Sequence, residues 1–405
     1  MSAPPAVGQR IGWAELPGSV RRGIEDVLGA PVMRAESQHG GFSPGTADRV
    51  LTSTGRRAFV KAVSPDQNPD SPDIHRREAD YLAALPASPR LSELIGRYDD
   101  GYWIAMVMEE IDGECPPVPW SGEHVETAME TLAALAADLT PNPISGVETS
   151  GLEPISEGFS SLFAGWRRLQ DDPPADLDPW IAAHLDDLIE LSESTLPRID
   201  GDTVVHCDIR ADNLLVRPDG SMVVVDWPWA MLGADWLDRF MLLINIDLYG
   251  GGHDVEDLVA RHLGQVDPEL ISGTLAGLCA FFLDSAQQPP APGLPTLREL
   301  DELAREQGLV ERHVALGAGR PVEAEVRAVG DVISGRLMGP HCQYASTVEI
   351  AYYFRPVAGG ACRAIVPEPS LWEPHTPFLY HALLDLRGGA KLSRFHGLRH
   401  VQLGS

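Results

Sequence analysis

Lysine is almost missing from this sequence. Of 31 basic residues only two, Lys61 and Lys391, are lysine; the rest are arginine. Cysteine is scarce too. Five of them, widely scattered and with no C-x-x-C pair, argue against a disulfide framework and against the usual zinc spacings. His396 and His400 stand four apart, but Gly397 and a β-rich context argue against a helix presenting both to a metal. No run reaches the roughly 18 apolar residues of a membrane span. Met1 to Pro17 lacks a charged-then-apolar leader. A reduced cytoplasm is therefore the simplest expected setting. Positive charge is short overall, with a net charge of -28. That balance disfavours nucleic acid and anionic membranes, which need a basic face. Its plain consequence is solubility; its functional alternative is attraction of a cationic substrate.

What is present is concentrated between residues 206 and 226. The stretch His206-Cys207-Asp208-Ile209-Arg210-Ala211-Asp212-Asn213 spaces an Asp and an Asn five apart, and an apolar run then ends on Asp226. Phosphoryl transfer needs such a set, with one carboxylate at the attacking hydroxyl and two hard oxygen donors holding magnesium on the phosphates. Asp208 is thus expected to accept or orient the substrate hydroxyl, and Asn213 and Asp226 to hold Mg2+. Between them, Leu214 to Val224 reads as a hairpin turning at Pro218-Asp219-Gly220, which would let Asn213 and Asp226 face one metal. The pattern H-x-D-x-x-x-x-N is that of the protein-kinase catalytic loop.

With these residues, the segment from about Gln38 to Arg305 resembles the aminoglycoside phosphotransferase family of small-molecule kinases. The family's H-G-D-x-x-x-x-N corresponds to His206 through Asn213, its V-D-W to Val225-Asp226-Trp227, and its G-x-x-x-x-D to Gly233 through Asp238. The resemblance implies that Asp238 braces the catalytic loop and that ATP is the phosphoryl donor. It also implies that adenine meets backbone near Glu109 and Ile111. Cys207 stands where the family usually has Gly, and Arg210-Ala211 where His-Pro is common. The acceptor stays open, since the family takes aminoglycosides, macrolides, choline, homoserine and sugars.

The scarce lysine gives an independent argument. Lys61 ends the strand motif Phe59-Val60-Lys61, where a compact ammonium fits between phosphate oxygens and an acid on the neighbouring helix; a forked guanidinium would fit poorly. Glu78 in Arg76-Arg77-Glu78-Ala79 matches the family's R-E-A pattern and is the expected acid, with Asp80 as competitor. Gly40 to Gly45 is expected to cover the phosphates, with backbone N–H groups and the Ser43 hydroxyl donating. His206 reads as a structural histidine. Arg210 has two readings, a γ-phosphate contact or an outward surface residue. Cys207 has no assignable activating base and reads as packing.

The expected architecture is α+β: a bilobal protein-kinase-like fold followed by a β-sandwich. Residues 1–112 form the β-rich small lobe, 113–314 the helical large lobe, and 322–405 the accessory sandwich. Residues 1 to about 36 read as a helical lead-in, before a β-β-α-β order. Helices are expected over 124–139, 159–169, 180–191, 237–244, 255–263 and 296–313. From Glu311 onward there are ten Lys+Arg against eight Asp+Glu, leaving 21 against 51 before that point, a change that marks a separate unit. The segment Trp372 to Tyr380, with Gly397 to Arg399, resembles the immunoglobulin-like sandwich of glycoside hydrolase family 2; no eightfold βα barrel accompanies it. The function expected is ATP- and magnesium-dependent phosphorylation of a hydroxylated small molecule. The alternative is a catalytically weak nucleotide-binding pseudokinase or regulator.

Overall fold

The computed structural model describes residues 10–38, 44–144, 152–249 and 252–288, and the segments 322–327, 332–341, 350–357, 361–366, 379–386 and 391–396. The chain divides into two compact units, Met1–Leu309 and Val310–Ser405. The expected helix over 296–313 lies outside the described residues.

The first unit opens with helix α1 (Gly18–Leu28), which buries Val20, Ile24 and Leu28 at helical spacing. These pack on a five-stranded antiparallel sheet of β1 (Val32–Ser37), β2 (Thr46–Thr52), β3 (Arg57–Val63), β4 (Leu94–Asp99) and β5 (Ile104–Met108). The strand order is β1-β2-β3-β5-β4, and helix α2 (Ser71–Ala84) sits between β3 and β4 in sequence.

Two of these strands correct the sequence reading. Residues 32–37 are strand β1 rather than part of a helical lead-in. As an edge strand it leaves Met33 70% exposed, so it lacks the apolar alternation by which strands are recognised. Strand β4 was not anticipated either, because its Arg97 and Asp99 break the apolar pattern of the opposite edge.

The second half of this unit is mainly helical: α3 (Gly122–Asp138), the short turns α4 (Ile155–Gly158), α5 (Ser160–Phe163) and α6 (Gly165–Asp171), then α7 (Pro179–Thr195). The single helix expected over 159–169 is thus broken in two. Two-stranded ladders β6 (Thr203–Val205) with β9 (Met231–Gly233), and β7 (Leu214–Val216) with β8 (Met222–Val224), precede α8 (Leu237–Tyr249), α9 (Val255–His262) and α10 (Pro268–Ala286).

Among the described residues α10 alone is long and apolar enough to cross a membrane, but 61% of its apolar window is buried inside the protein. It is a core helix. Trp166 donates to the Ala276 carbonyl (2.9 Å), and the Gly273–Gly277 face admits Thr195 and Phe163; a Cβ at either glycine would lie 1.9 or 2.3 Å from them. Because α10 is apolar nearly all round, it has no amphipathic period to find.

Among the described residues the second unit holds seven strands in two sheets: β10 (Val322–Arg327), β11 (Val332–His341), β12 (Ile350–Tyr353), β13 (Arg355–Val357), β14 (Ala361–Val366), β15 (Leu379–Leu386) and β16 (Lys391–His396). Their orders are β10-β14-β13 and β12-β11-β15-β16, with every pair antiparallel.

Candidate active site

The loop that leaves β6 is held from behind. Buried Asp238, near the start of α8, accepts the backbone N–H groups of His206 (2.9 Å) and Cys207 (3.1 Å). The His206 ring is fully buried and used on both nitrogens: Nε2 donates to the Val225 carbonyl (3.0 Å), and Nδ1 accepts from the Asp208 N–H (3.2 Å). Those bonds fix a neutral tautomer, and burial pushes its pKa down. His206 thus clamps the loop to the strand that ends at Asp226, with Trp227 edge-on to its ring.

Asp208 faces its neighbours across the same loop. Arg210 Nη1 donates to both its carboxylate oxygens (2.7 and 3.0 Å), while Nε and Nη2 engage Asp212. Of the two readings left open for Arg210, the outward surface residue is therefore wrong: its side chain is 18% exposed and shared by two carboxylates. Burial pushes the Asp208 carboxyl up to about 6, with Arg210 opposing. Asn213 Nδ2 donates to the Asp208 carbonyl (2.7 Å) and carboxylate (3.1 Å), which leaves the amide oxygen as its available hard donor.

Asn213 then enters the β7–β8 hairpin, in which Leu214 pairs with Val224 and Gly220 turns with φ +84°. The Val225 N–H closes back on the Asn213 carbonyl (3.0 Å), so Asp226 emerges beside Asn213. Lys61 on β3 meets both this residue and the helix. Its Nζ lies 2.6 Å from Asp226 Oδ1 and 3.0 and 3.2 Å from the Glu78 carboxylate oxygens. Asp80, the competitor, instead pairs with Arg97 at the surface, 2.5 Å away. Glu78 is 1% exposed. Burial pushes the Glu78 carboxyl up, with Lys61 opposing; burial acts likewise on Asp226, but there the ammonium prevails and holds it below the usual range.

A match to the phosphotransferase enzyme family (APH) spans residues 40–270, more than half of the sequence. The chain belongs to this family. As a phosphotransferase of that family it is a small-molecule kinase, which accords with the expectation drawn from its loop motif. No curated relative matches the chain. Among solved structures, the aminoglycoside phosphotransferase of Alicyclobacillus acidocaldarius is 16% identical, covering 68% of this chain and 88% of its own, with a TM-score of 0.42. Choline kinase LicA of Streptococcus pneumoniae is 13% identical, covering 71% and 97%, with a TM-score of 0.47.

In this phosphotransferase, Lys61, Glu78, Asn213 and Asp226 line one cavity of about 380 Å³. Glu109 and Ile111 line it as well; the Glu109 N–H donates to the Glu93 carbonyl (2.8 Å), and the Glu109 carbonyl accepts from the Ser92 hydroxyl (3.4 Å) with a second lone pair open to a ligand. Ser43 lies outside the described residues. No group of three or more His, Cys, Asp or Glu side chains suited to a metal occurs among the described residues. A cation carried by phosphate oxygens needs fewer protein ligands, and the hard oxygens of Asn213 and Asp226 fit magnesium in that way.

Sequence reasoning missed Arg10, Arg49 and Cys115, which also line the cavity; nothing in their sequence context marks them. It also missed a backbone feature. Cys207 (φ +65°) and Asp226 (φ +71°) are the non-glycine residues with positive φ among those described. Each costs about 1–2 kcal/mol, and they flank the two ends of the site. The family's glycine at position 207 answers to that backbone conformation, which Cys207 adopts as a half-buried residue.

Proposed function

We propose that this chain transfers the γ-phosphoryl group of ATP, with magnesium, to a hydroxyl of a small molecule. The observation that carries the reading is Lys61 bonded to both Glu78 and Asp226, on a cavity that also receives Asn213 from the Asp208 loop. Adenine would donate its amino group to the Glu109 carbonyl and accept from the Ile111 N–H. The turn Gly40 to Gly45, with Ser43, would cover the phosphates. Magnesium, when bound through Asn213 and Asp226, would neutralise charge on the phosphate oxygens.

Asp208 orients the acceptor hydroxyl and takes its proton as the new O–P bond forms and the bond to the β-phosphate bridging oxygen breaks. Its raised pKa keeps the carboxylate basic enough to receive that proton. Arg210 holds Asp208 in place and lends its charge to the transferring group. The acceptor is a hydroxylated small molecule; the net charge of -28 favours a cationic one and disfavours nucleic acid or anionic membranes as partners. A cytoplasmic setting suits ATP supply and the free thiols of Cys115, Cys207 and Cys279.

The test is Asp208→Asn. Turnover on a substrate found by an ATP-consumption screen should fall by about 10²- to 10⁴-fold, while affinity for ATP with magnesium stays within about twofold. Wild-type turnover in this variant would remove Asp208 from the chemistry. Binding of ATP without consumption across a broad panel of hydroxylated compounds would favour the nucleotide-binding regulator.

A further inference from the structure

Arg10, one of two arginines in the cavity lining that sequence analysis did not single out, lies close enough to Asp226 to feel its charge. We propose that Arg10 is a second phosphate-binding residue of this site, delivered by the segment that precedes α1. The proposal rests on the ATP reading above and extends it to a part of the chain outside the 40–270 family match.

Three observations carry it. Arg10 lines the same cavity as Lys61, Glu78, Asn213 and Asp226. Its backbone is fixed there: Arg10 forms a parallel bridge with Gly45, and the Ile11 N–H donates to the Gly45 carbonyl (3.2 Å). Gly45 in turn presses on β3 beside Lys61. It has φ +89°, and a Cβ there would lie 2.3 Å from the Ala62 carbonyl. Ile11 and Trp13 pack on the α1 core, so the segment is anchored on its C-terminal side as well.

The third observation is charge. Near the phosphate end, Lys61 is shared by Glu78 and Asp226, and Arg210 by Asp208 and Asp212. Two cations therefore stand against four carboxylates. Arg49, the other arginine lining the cavity, is committed to the Gly113 carbonyl (3.1 Å) near the linker. A triphosphate brings further negative charge to a place already in deficit. Arg10 adds a cation there, close enough to feel both Asp226 and Asp48. Its planar fork suits phosphate oxygens.

The competing role is a latch. Asp48 is fully buried, and Arg10 could serve only to neutralise it and hold the lobe together. The two roles separate by ligand. Calorimetry on the full chain would measure affinities of Arg10→Ala and Arg10→Lys for ATP with magnesium, for ADP, and for adenosine, which lacks phosphate. Phosphate binding predicts at least about tenfold weaker ATP for Arg10→Ala, partial recovery in Arg10→Lys, and adenosine within about twofold. A latch predicts equal losses for ATP and adenosine, or a lowered melting temperature alone; either result overturns the proposal. Arg10→Gln, which keeps a polar donor, replaces Arg10→Ala should the latter not fold. If the wild-type chain binds neither ATP nor ADP, the underlying reading falls and Arg10 with it; if it binds ATP and Arg10→Ala binds equally, the Arg10 assignment alone falls.

Discussion

Replacing Lys61 by Met should expose how much of the lobe's stability hangs on a single ammonium. The Lys61 side chain is 12% exposed and Glu78 2%, so the mutation strands a buried carboxylate opposite Asp226. Breaking a buried pair in this way costs about 3–5 kcal/mol. Glu78→Gln alone keeps an acceptor oxygen for the ammonium and leaves Lys61 paired with Asp226, so it costs about 1–2 kcal/mol. With Gln at position 78, Lys61→Met forfeits the more exposed Asp226 contact and a neutral amide contact, and strands no buried charge at that position. The double-mutant cycle should therefore show a coupling of about 2–3 kcal/mol. The Lys61→Met deficit should also shrink at lower pH. Burial raises Glu78 in the fold above its unfolded value, so a cation-free Glu78 is tolerated when protonated and destabilises as pH rises through its folded pKa. Urea titration followed by tryptophan fluorescence reads this unit, because eight of the nine tryptophans precede Leu309. Costs that add within about 0.5 kcal/mol, or a deficit equal at pH 7.5 and 5.5 relative to wild type, would refute the reasoning.

Three further outcomes are expected. Asp238→Ala should cost about 3 kcal/mol in the same titration, because it orphans the buried His206 and Cys207 N–H groups; Asp238→Asn, whose amide oxygen can accept both, should cost about 1 kcal/mol. Burial lowers the His75 pKa to about 4, with its Nδ1 on the Ser71 carbonyl. It stays neutral in the fold while the unfolded chain takes up a proton below about pH 6.5, so stability is lost as pH falls through that value: about 2 kcal/mol between pH 7.5 and 5, absent in His75→Gln. A chain ending at His313 should keep its affinity for ATP with magnesium within about twofold, and limited proteolysis should cut first between residues 312 and 322; aggregation of the shortened chain would make the sandwich a support of the large lobe.

The parts of the fold that could be read in advance are those with a local signature. Lys61 stood out because the chain uses almost no lysine, and the hairpin after Asn213 announced itself through Pro218-Asp219-Gly220. Helix α3, expected over 124–139, spans Gly122–Asp138, and its Ser121 hydroxyl accepts the His124 N–H. Other elements owe their form to distant contacts. Strand β1 exists because β2 offers it a ladder, and its own residues are mostly solvated. Helix α10 is apolar on nearly every face because helices pack around it. The Arg210 pairs with Asp208 and Asp212 depend on a bent loop, and the reach of Arg10 depends on a bridge to Gly45. Neither has a sequence spacing that could reveal it.

The β7–β8 hairpin has a mechanical consequence. Asn213 and Asp226 are twelve residues of chain apart in between, yet the ladder and the Val225 N–H bond to the Asn213 carbonyl make them the two jaws of one rigid tool. Their separation is set at the open end of the hairpin, while the turn at Pro218 to Gly220 lies at the far end, in solvent. Changes of length at that turn should pass without disturbing the gap between the jaws. A single residue inserted within Leu214–Val216 or Met222–Val224 would rotate one jaw to the opposite face of the ladder. Evolution can thus lengthen this handle freely, but it cannot alter the grip one residue at a time.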